Sequence, residues 1–338
     1  MRHLLNYLIT RLLLSIPMIF ILVTLVFVVL RIMPGDPVNA MLGGHAPQKV
    51  IDEKKEALGL NRPITVQYVD YLNQLIHFDL GTSMIFQQKV SQPIIEKLPA
   101  TIELTLFGLL ASLAIGIPLG ASAARRRRSG RDFGIRLYAN VAYCIPVFWM
   151  GLLLQLVFGV FLGWFPVSGR TGPRIDVSEF SRSGFYVLDT LRAGQVANFG
   201  DVLWHLVLPS FTLGIVLSGI FVRLTRANML DVLKSDYILA ARARGIPERR
   251  VVYNHGLRNA LIPIVTMLGL QFSLLLAGAI LTESTFSWPG MGRLLLERIY
   301  LRDYPVIQGV IIVYTLMVSV ISLLVDLIYA VIDPRVKY

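Results

Sequence analysis

The sequence predicts an all-α integral membrane protein with six transmembrane helices, and three observations carry that prediction. Of 338 residues, 55% are hydrophobic and only 16% are charged, against roughly 25% charged in a soluble domain. Six apolar runs approach or exceed the span of about 20 residues that crosses a bilayer. Lys and Arg are concentrated in alternate connecting segments, the asymmetry that orients membrane proteins.

In chain order the runs are 12–30, 104–124, 137–162, 203–222, 261–281 and 306–332. Pro17, Pro118 and Pro146 fall inside three of them, and membrane helices tolerate proline when neighbours satisfy the freed carbonyls. The first run is too long for a signal-peptide core, and "RIMPGDP" follows it in place of a small-residue cleavage site, so it is expected to be a retained anchor.

With both termini cytoplasmic, the inner segments (1–11, 125–136, 223–258 and the tail 333–338) hold 18 basic residues. The outer segments hold 14 in about twice the length. "ARRRRSGR" at 124–131 is therefore a stop-transfer loop, and the net charge of +11 does not imply nucleic-acid binding. Four units follow: an anchor helix (1–32), an external amphipathic segment (33–97), a five-helix core (98–332) with a cytoplasmic loop at 223–258, and the tail.

Within the external segment, "PQKVIDEKKEALGL" predicts a helix with Val50, Ile51, Ala57 and Leu58 at helical spacing and Gly59 as its stop. "TVQYVDYLNQLIHF" predicts a second, with Tyr68, Leu72, Leu75 and Ile76 on one face. This segment is either a cap on the membrane surface or a docking surface for an external partner. Residues 164–202 show no period and are expected to be loop. Cys144, the sole cysteine, is expected to be a small buried hydrophobe.

The chemistry of an enzyme is missing from the sequence. His3, His45, His77, His205 and His255 are scattered, without zinc-site spacing, and neither a Gly-x-Ser-x-Gly elbow nor a phosphate loop is present. No catalytic, cofactor or metal residue is assigned, and ATP-driven movement would require another chain to bind the nucleotide. An ion-coupled transporter keeps ionisable groups near the bilayer midplane. Here only Glu103 and Asp326 come close, both near span ends. Glu103 is expected in a first helical turn, where the dipole favours an acid, and Asp326 beside a basic residue at the inner surface.

"LKSDYILAARARGIP" (233–247) lies in the long inner loop. Ser235 is an N-cap, Asp236 follows in the first turn, and Arg242 and Arg244 fall in the last, all suited to the helix dipole. Gly245 supplies a left-handed stop and Pro247 blocks continuation. Ala240, Ala241 and Ala243 keep the helix slim while Tyr237 projects. The alternatives are a rigid peg for a cleft on another protein and a solvated loop helix.

"LAARARG" followed by "HGLRNALIP" resembles the loop by which permease subunits of ATP-binding-cassette importers engage their ATPases. The family form is Glu-Ala-Ala, three residues, Gly, nine residues, then Ile-x-Leu-Pro. Aligned on Gly245, Ala240, Ala241 and Leu257 match. Leu239 replaces the Glu, His255 and Arg258 stand for Ile and Pro, and the proline follows at Pro263. "MPGDP", "LGLNRPITVQYVDYL", "DLGTS", "LPATIELTL", "AGAILTESTFSWPGMGRLLLERIYLRDYPVIQG" and "DPR" occur in order. Together they resemble the dipeptide and oligopeptide permeases, most closely the longer of the two homologous membrane subunits. The resemblance implies the type I importer permease fold in the cell membrane. It implies a heterodimer with a second permease, two ATPases that bind ATP and Mg, and an external substrate-binding protein. Di- or oligopeptides are the implied cargo, with nickel, glutathione or oligosaccharides as alternatives. Substrate-pathway residues are not assigned.

Overall fold

The computed structural model describes residues 2–32, 36–42 and 46–332. Residues 33–35 of "MPGDP", His45, the tail with its "DPR", and the side chains of His3 and Asp326 lie outside the described residues. The described residues hold helices and one isolated bridge, Thr82 to Lys89.

Four helices are long and apolar enough to cross a membrane: α1 (Arg2–Ile32, apolar over Leu13–Ile32), α5 (Ser91–Arg125), α9 (Val196–Val232) and α15 (Tyr304–Ile332, apolar over Tyr304–Val325). The number rises to six if each of two bent pairs is one span. Three short helices, α2 (Pro37–Met41), α3 (Gln48–Ala57) and α4 (Ile64–Ile76), lie between α1 and α5. Gly59 ends the α3 turn with φ +67°, as the sequence predicts. In α4 no residue is buried, and Ile76 is 74% exposed.

The first bent pair corrects the expectation of one continuous run over 137–162. Helix α6 (Gly130–Cys144) and α7 (Val147–Leu154), which continues as a π-helical turn over Gln155–Phe161, meet at 105°. Ile145 is extended, with φ −77° and ψ 127°, because the ring of Pro146 excludes the helical region for the residue before it. Proline breaks this run, whereas Pro17, Pro99, Pro118 and Pro209 are absorbed inside α1, α5 and α9. Cys144, at the end of α6, is exposed rather than buried, since the break turns that end out of the core.

Residues 164–202 also depart from the expected loop. They contain a 3-10 turn (Val177–Glu179), helix α8 (Tyr186–Arg192) and the start of α9. Helix α8 is too short for a periodic signal and is fixed by the turn that precedes it. The buried Asp189 carboxylate accepts from the amides of Arg182, Ser183 and Gly184 and from the Ser183 hydroxyl at 2.7 Å. Burial pushes that carboxyl up, but the Ser183 bond and the three amides hold it below its usual range.

The second half continues through α10 (Asp236–Ala243), α11 (Glu248–Arg250), a π-helical turn (Val251–Gly256), α12 (Leu257–Ala260), α13 (Ile262–Thr285) and α14 (Met291–Leu301). The stretch Glu248–Ala260 meets Pro263–Leu276 at 46°, forming the second bent pair.

Helices α5 and α9 form the central pair, and small residues let them approach. Gly108, Ser112, Gly116 and Gly120 repeat every four residues along one stripe of α5. A Cβ on Gly116 would fall 2.5 Å from Cβ of Phe221, and one on Gly120 would fall 2.7 Å from the carbonyl oxygen of Val222. Such close backbones replace the hydrophobic drive that lipid cannot supply between helices. Gly116→Leu is expected to overpack the seam by about 1–3 kcal/mol or more, lowering the apparent melting midpoint of the purified protein in detergent. Gly134→Leu, where a Cβ meets nothing within 4 Å, should leave that midpoint unchanged.

Around the pair, Leu104, Leu206, Leu213, Phe221, Leu275 and Trp288 form the main buried cluster. Helix α1 lies against α15 through Val26, Leu30, Val306 and Val310, while Leu14, Phe20, Ile21 and Leu25 stay exposed.

Candidate functional site

At the C-terminal end of α5, α9 runs on for ten residues beyond the expected span and leads into α10. At roughly 55 Å, α9 exceeds the bilayer core of about 30 Å. Ser235 has the extended N-cap conformation, ψ 152°, and its carbonyl accepts from Ile238 and Leu239. Its hydroxyl does not cap the helix as the sequence suggests. It turns back and donates to the Val232 carbonyl at 2.6 Å, joining α10 to the end of α9.

The other end follows the expected chemistry closely. Gly245 takes φ +73°. Its amide donates to Arg242, and the Ile246 amide donates to Ala241, the paired bonds of a Schellman stop. Ile246 packs against the small cluster of Ile238, Ala241 and Val251 beneath the helix. Arg242 forks onto Glu248 at 2.8 and 3.1 Å, closing the turn around Pro247.

This cluster decides which face of α10 is free. Ile238 and Ala241 are buried, whereas Asp236, Leu239, Ala240, Ala243 and Arg244 are exposed. Ala241, which the sequence groups with Ala240 and Ala243 on one slim surface, therefore faces its own chain. Tyr237 is half exposed, and its hydroxyl accepts from Asn259 at 2.6 Å. Of the supporting residues, Leu257 packs beside Met229, Val252 and Ala260. His255, Arg258 and Pro263 are exposed.

Asp132 is a residue that sequence reasoning missed. It is buried, accepts both Arg226 nitrogens at 2.7 and 2.9 Å, and also accepts the Arg128 amide at 3.0 Å. This fork ties the arginine-rich turn to the stretch of α9 that carries α10. A bidentate pair fixes orientation as well as distance.

The N-terminal end of α5 is held by a different set of staples. Glu103 lies about three turns inside α5, not in a first turn, so the dipole is not its support. The buried Arg170 pairs with it, and the Val187 amide donates to it at 2.8 Å. The same guanidinium lies 3.6 Å over the Tyr186 ring and donates to the Gly184 carbonyl at 2.7 Å. Glu283, from "TESTFSWPGMG", accepts the Thr101 hydroxyl at 2.6 Å and the Arg293 amide at 3.0 Å. Asp303, from "RDYP", accepts the hydroxyl of Ser83 from "DLGTS" at 2.5 Å and the Met84 amide at 3.0 Å. The quoted motifs thus bind one another across the fold.

Among the described residues no three His, Cys, Asp or Glu side chains group to hold a metal ion. What the geometry offers is a short helix with one face exposed at one end and a stapled lobe at the other.

Residues 116–338 match the family described as binding-protein-dependent transport system inner membrane component, and residues 4–105 match the N-terminal membrane component of such systems. The chain belongs to this family. It is a multi-pass inner-membrane protein, a permease component of a binding-protein-dependent transport system. Its relatives include the dipeptide transport system permease protein of Alkalihalophilus pseudofirmus, 43% identical over 99% of this chain and 100% of the relative. The dipeptide permease of Escherichia coli K12 is 40% identical over 99% of each chain. The oligopeptide permease of Bacillus subtilis is 38% identical over 98% of this chain and 99% of the relative. The permease also resembles a chain of the MetNI methionine ABC transporter in inward-facing form, with TM-score 0.55 and 15% identity over 72% of this chain and 97% of that one. That likeness carries the fold alone.

Proposed function

We propose that this permease is one of two homologous membrane subunits of an ATP-driven importer for di- or oligopeptides. It has six spans and cytoplasmic termini, and α10 is seated in an ATPase subunit. The observation that carries this reading is the division of α10 into two faces. Ile238 and Ala241 lock it to its own chain, while Asp236, Leu239, Ala240 and Ala243 are exposed around a helix joined to α9 at one end and closed by the Gly245 stop at the other. A solvated loop helix gains nothing from such rigidity, whereas a lever that transmits force needs it.

The names of the full-length relatives support a peptide cargo. In this mechanism ATP and Mg bind the two ATPases, and an external binding protein delivers the peptide. Closure of the ATPases moves α10 and the end of α9 joined to it, and the Asp132–Arg226 fork passes that movement from α9 to α6. The permease carries out no chemical step. Ion coupling draws no support from Glu103, whose carboxylate is committed to Arg170 and Val187.

Topology tests the reading directly. Reporters fused after Arg128 or Lys234 are expected to read as cytoplasmic, and those after Gln87 or Gln195 as external. An external signal at Lys234 would remove the ATPase contact outright.

A further inference from the structure

At the C-terminal end of α5, an open cavity of about 730 Å³ is lined by five arginines. Arg125 ends α5, Arg126 follows it, Arg131 lies in the first turn of α6, and Arg249 and Arg250 belong to α11. All five are exposed, and no carboxylate lines the cavity. The acids that neighbour these arginines in sequence are committed elsewhere. Asp132 is forked onto Arg226, and Glu248 onto Arg242. Ser122 brings a hydroxyl to the same wall.

Five guanidinium groups around one space repel one another unless an anion sits among them. The charge asymmetry that orients a membrane protein needs arginines on one side only. It does not need two segments distant in sequence, 125–131 and 247–254, to converge on one cavity. A guanidinium fork matches two oxygens of a phosphate, and the volume is that of a small-molecule site, about 300–1,000 Å³. Position narrows the ligand further. The apolar run 104–124 ends one residue before Arg125, so the cavity begins where the hydrocarbon-compatible stretch stops. Helix α6 starts at the cavity and exposes Phe133, Leu137 and Val141 at four-residue spacing. Phosphate-binding charge beside apolar surface suits an amphiphile better than a soluble anion.

We propose that this cavity binds the phosphate headgroup of an anionic phospholipid, which joins the end of α5 to the turn that follows α10. Pro247, Arg249 and Arg250 supply the second side of that bridge. Basic pockets at the cytoplasmic face of membrane proteins hold such headgroups. No residue of α10 lines the cavity, so the site is separate from the face that α10 exposes. The leaflet rests on the cytoplasmic topology proposed above, but binding in detergent does not. Failure of the lipid site and failure of that topology are therefore separate results.

The test uses the purified complete transporter, permeases and ATPases together, incubated in detergent with equal amounts of dioleoylphosphatidylglycerol and dioleoylphosphatidylcholine. Mass spectrometry then counts the lipid retained after washing. Preferential retention of phosphatidylglycerol is expected. Arg249→Gln with Arg250→Gln, and separately Arg126→Gln with Arg131→Gln, should each lower that preference about tenfold or more. These side chains are exposed, so an unchanged melting midpoint should accompany the loss. Arg127→Gln, in the same loop and exposed but outside the cavity, should leave the preference intact. Equal retention of the two lipids would overturn the proposal and leave the cavity to solvent or to an acidic surface of the ATPases. A loss in Arg127→Gln as large as in the cavity variants would overturn it too, by showing diffuse charge attraction. Displacement of the lipid by millimolar inorganic phosphate would do the same in favour of a soluble ligand.

Discussion

Ala240→Trp is expected to abolish copurification of the ATPase subunit and ATP-driven uptake while leaving the permease folded, inserted and paired with its sister subunit. Ala240 is exposed, so an indole there meets only solvent in the isolated chain. In a seated α10 the same indole overpacks the interface by about 1–3 kcal/mol or more, a loss of roughly tenfold to a hundredfold in affinity. Ala241→Trp provides the contrast. That side chain sits against Ile238 and Val251, so bulk there disrupts the loop itself and lowers the stability of the isolated permease too. Gly245→Val should also sever the contact, since holding a β-branched residue at φ +73° costs at least about 1–2 kcal/mol. Lys49→Ala, in the segment between α1 and α5, should leave coupling intact. Full ATPase association and uptake in Ala240→Trp would make α10 a loop helix and nothing more.

The contrast between Ala240 and Ala241 also marks the limit of what local sequence conveys. The stop at Gly245 and Pro247 was legible because the chemistry that ends a helix lies within three residues of the end. Which alanine faces inward was not, because the deciding partner is Val251, beyond the turn, and alanines look alike in sequence. The same division runs through the fold. Hydropathy located the apolar runs, yet it could not say that Pro146 breaks its helix while Pro118 stays inside one. That outcome depends on whether neighbouring helices satisfy the freed carbonyls. The α5 stripe of Gly108, Ser112, Gly116 and Gly120 was readable by its four-residue spacing, and a search for small residues at that period would have found the central pair. Asp132 carried no such signal, because its partner Arg226 lies 94 residues away.

Glu103 and Arg170 are 67 residues apart, and their pairing leads to the largest stability effect expected in the molecule. Arg170→Met leaves the buried Glu103 with the Val187 amide as its one remaining hydrogen-bond donor. Breaking a buried pair from one side costs about 3–5 kcal/mol, since the surviving charge stays out of water. The guanidinium also loses its place over Tyr186 and its bond to Gly184, so the lobe that carries α8 comes loose from α5. A sharp fall in apparent melting midpoint and early proteolysis between residues 170 and 195 are expected. Glu103→Leu combined with Arg170→Met should recover much of the loss, because two apolar side chains of similar length leave no charge stranded. The damage should also stay at that end of the bundle. Glu103 and Ala124 are separated by roughly 30 Å of helix, and Ala124 belongs to the cluster that supports the α10 loop. Arg170→Met should therefore keep its ATPase subunit, while uptake falls with the loosened lobe. A double variant no more stable than Arg170→Met would mean that the ring and carbonyl contacts of Arg170, rather than its charge, hold the lobe in place.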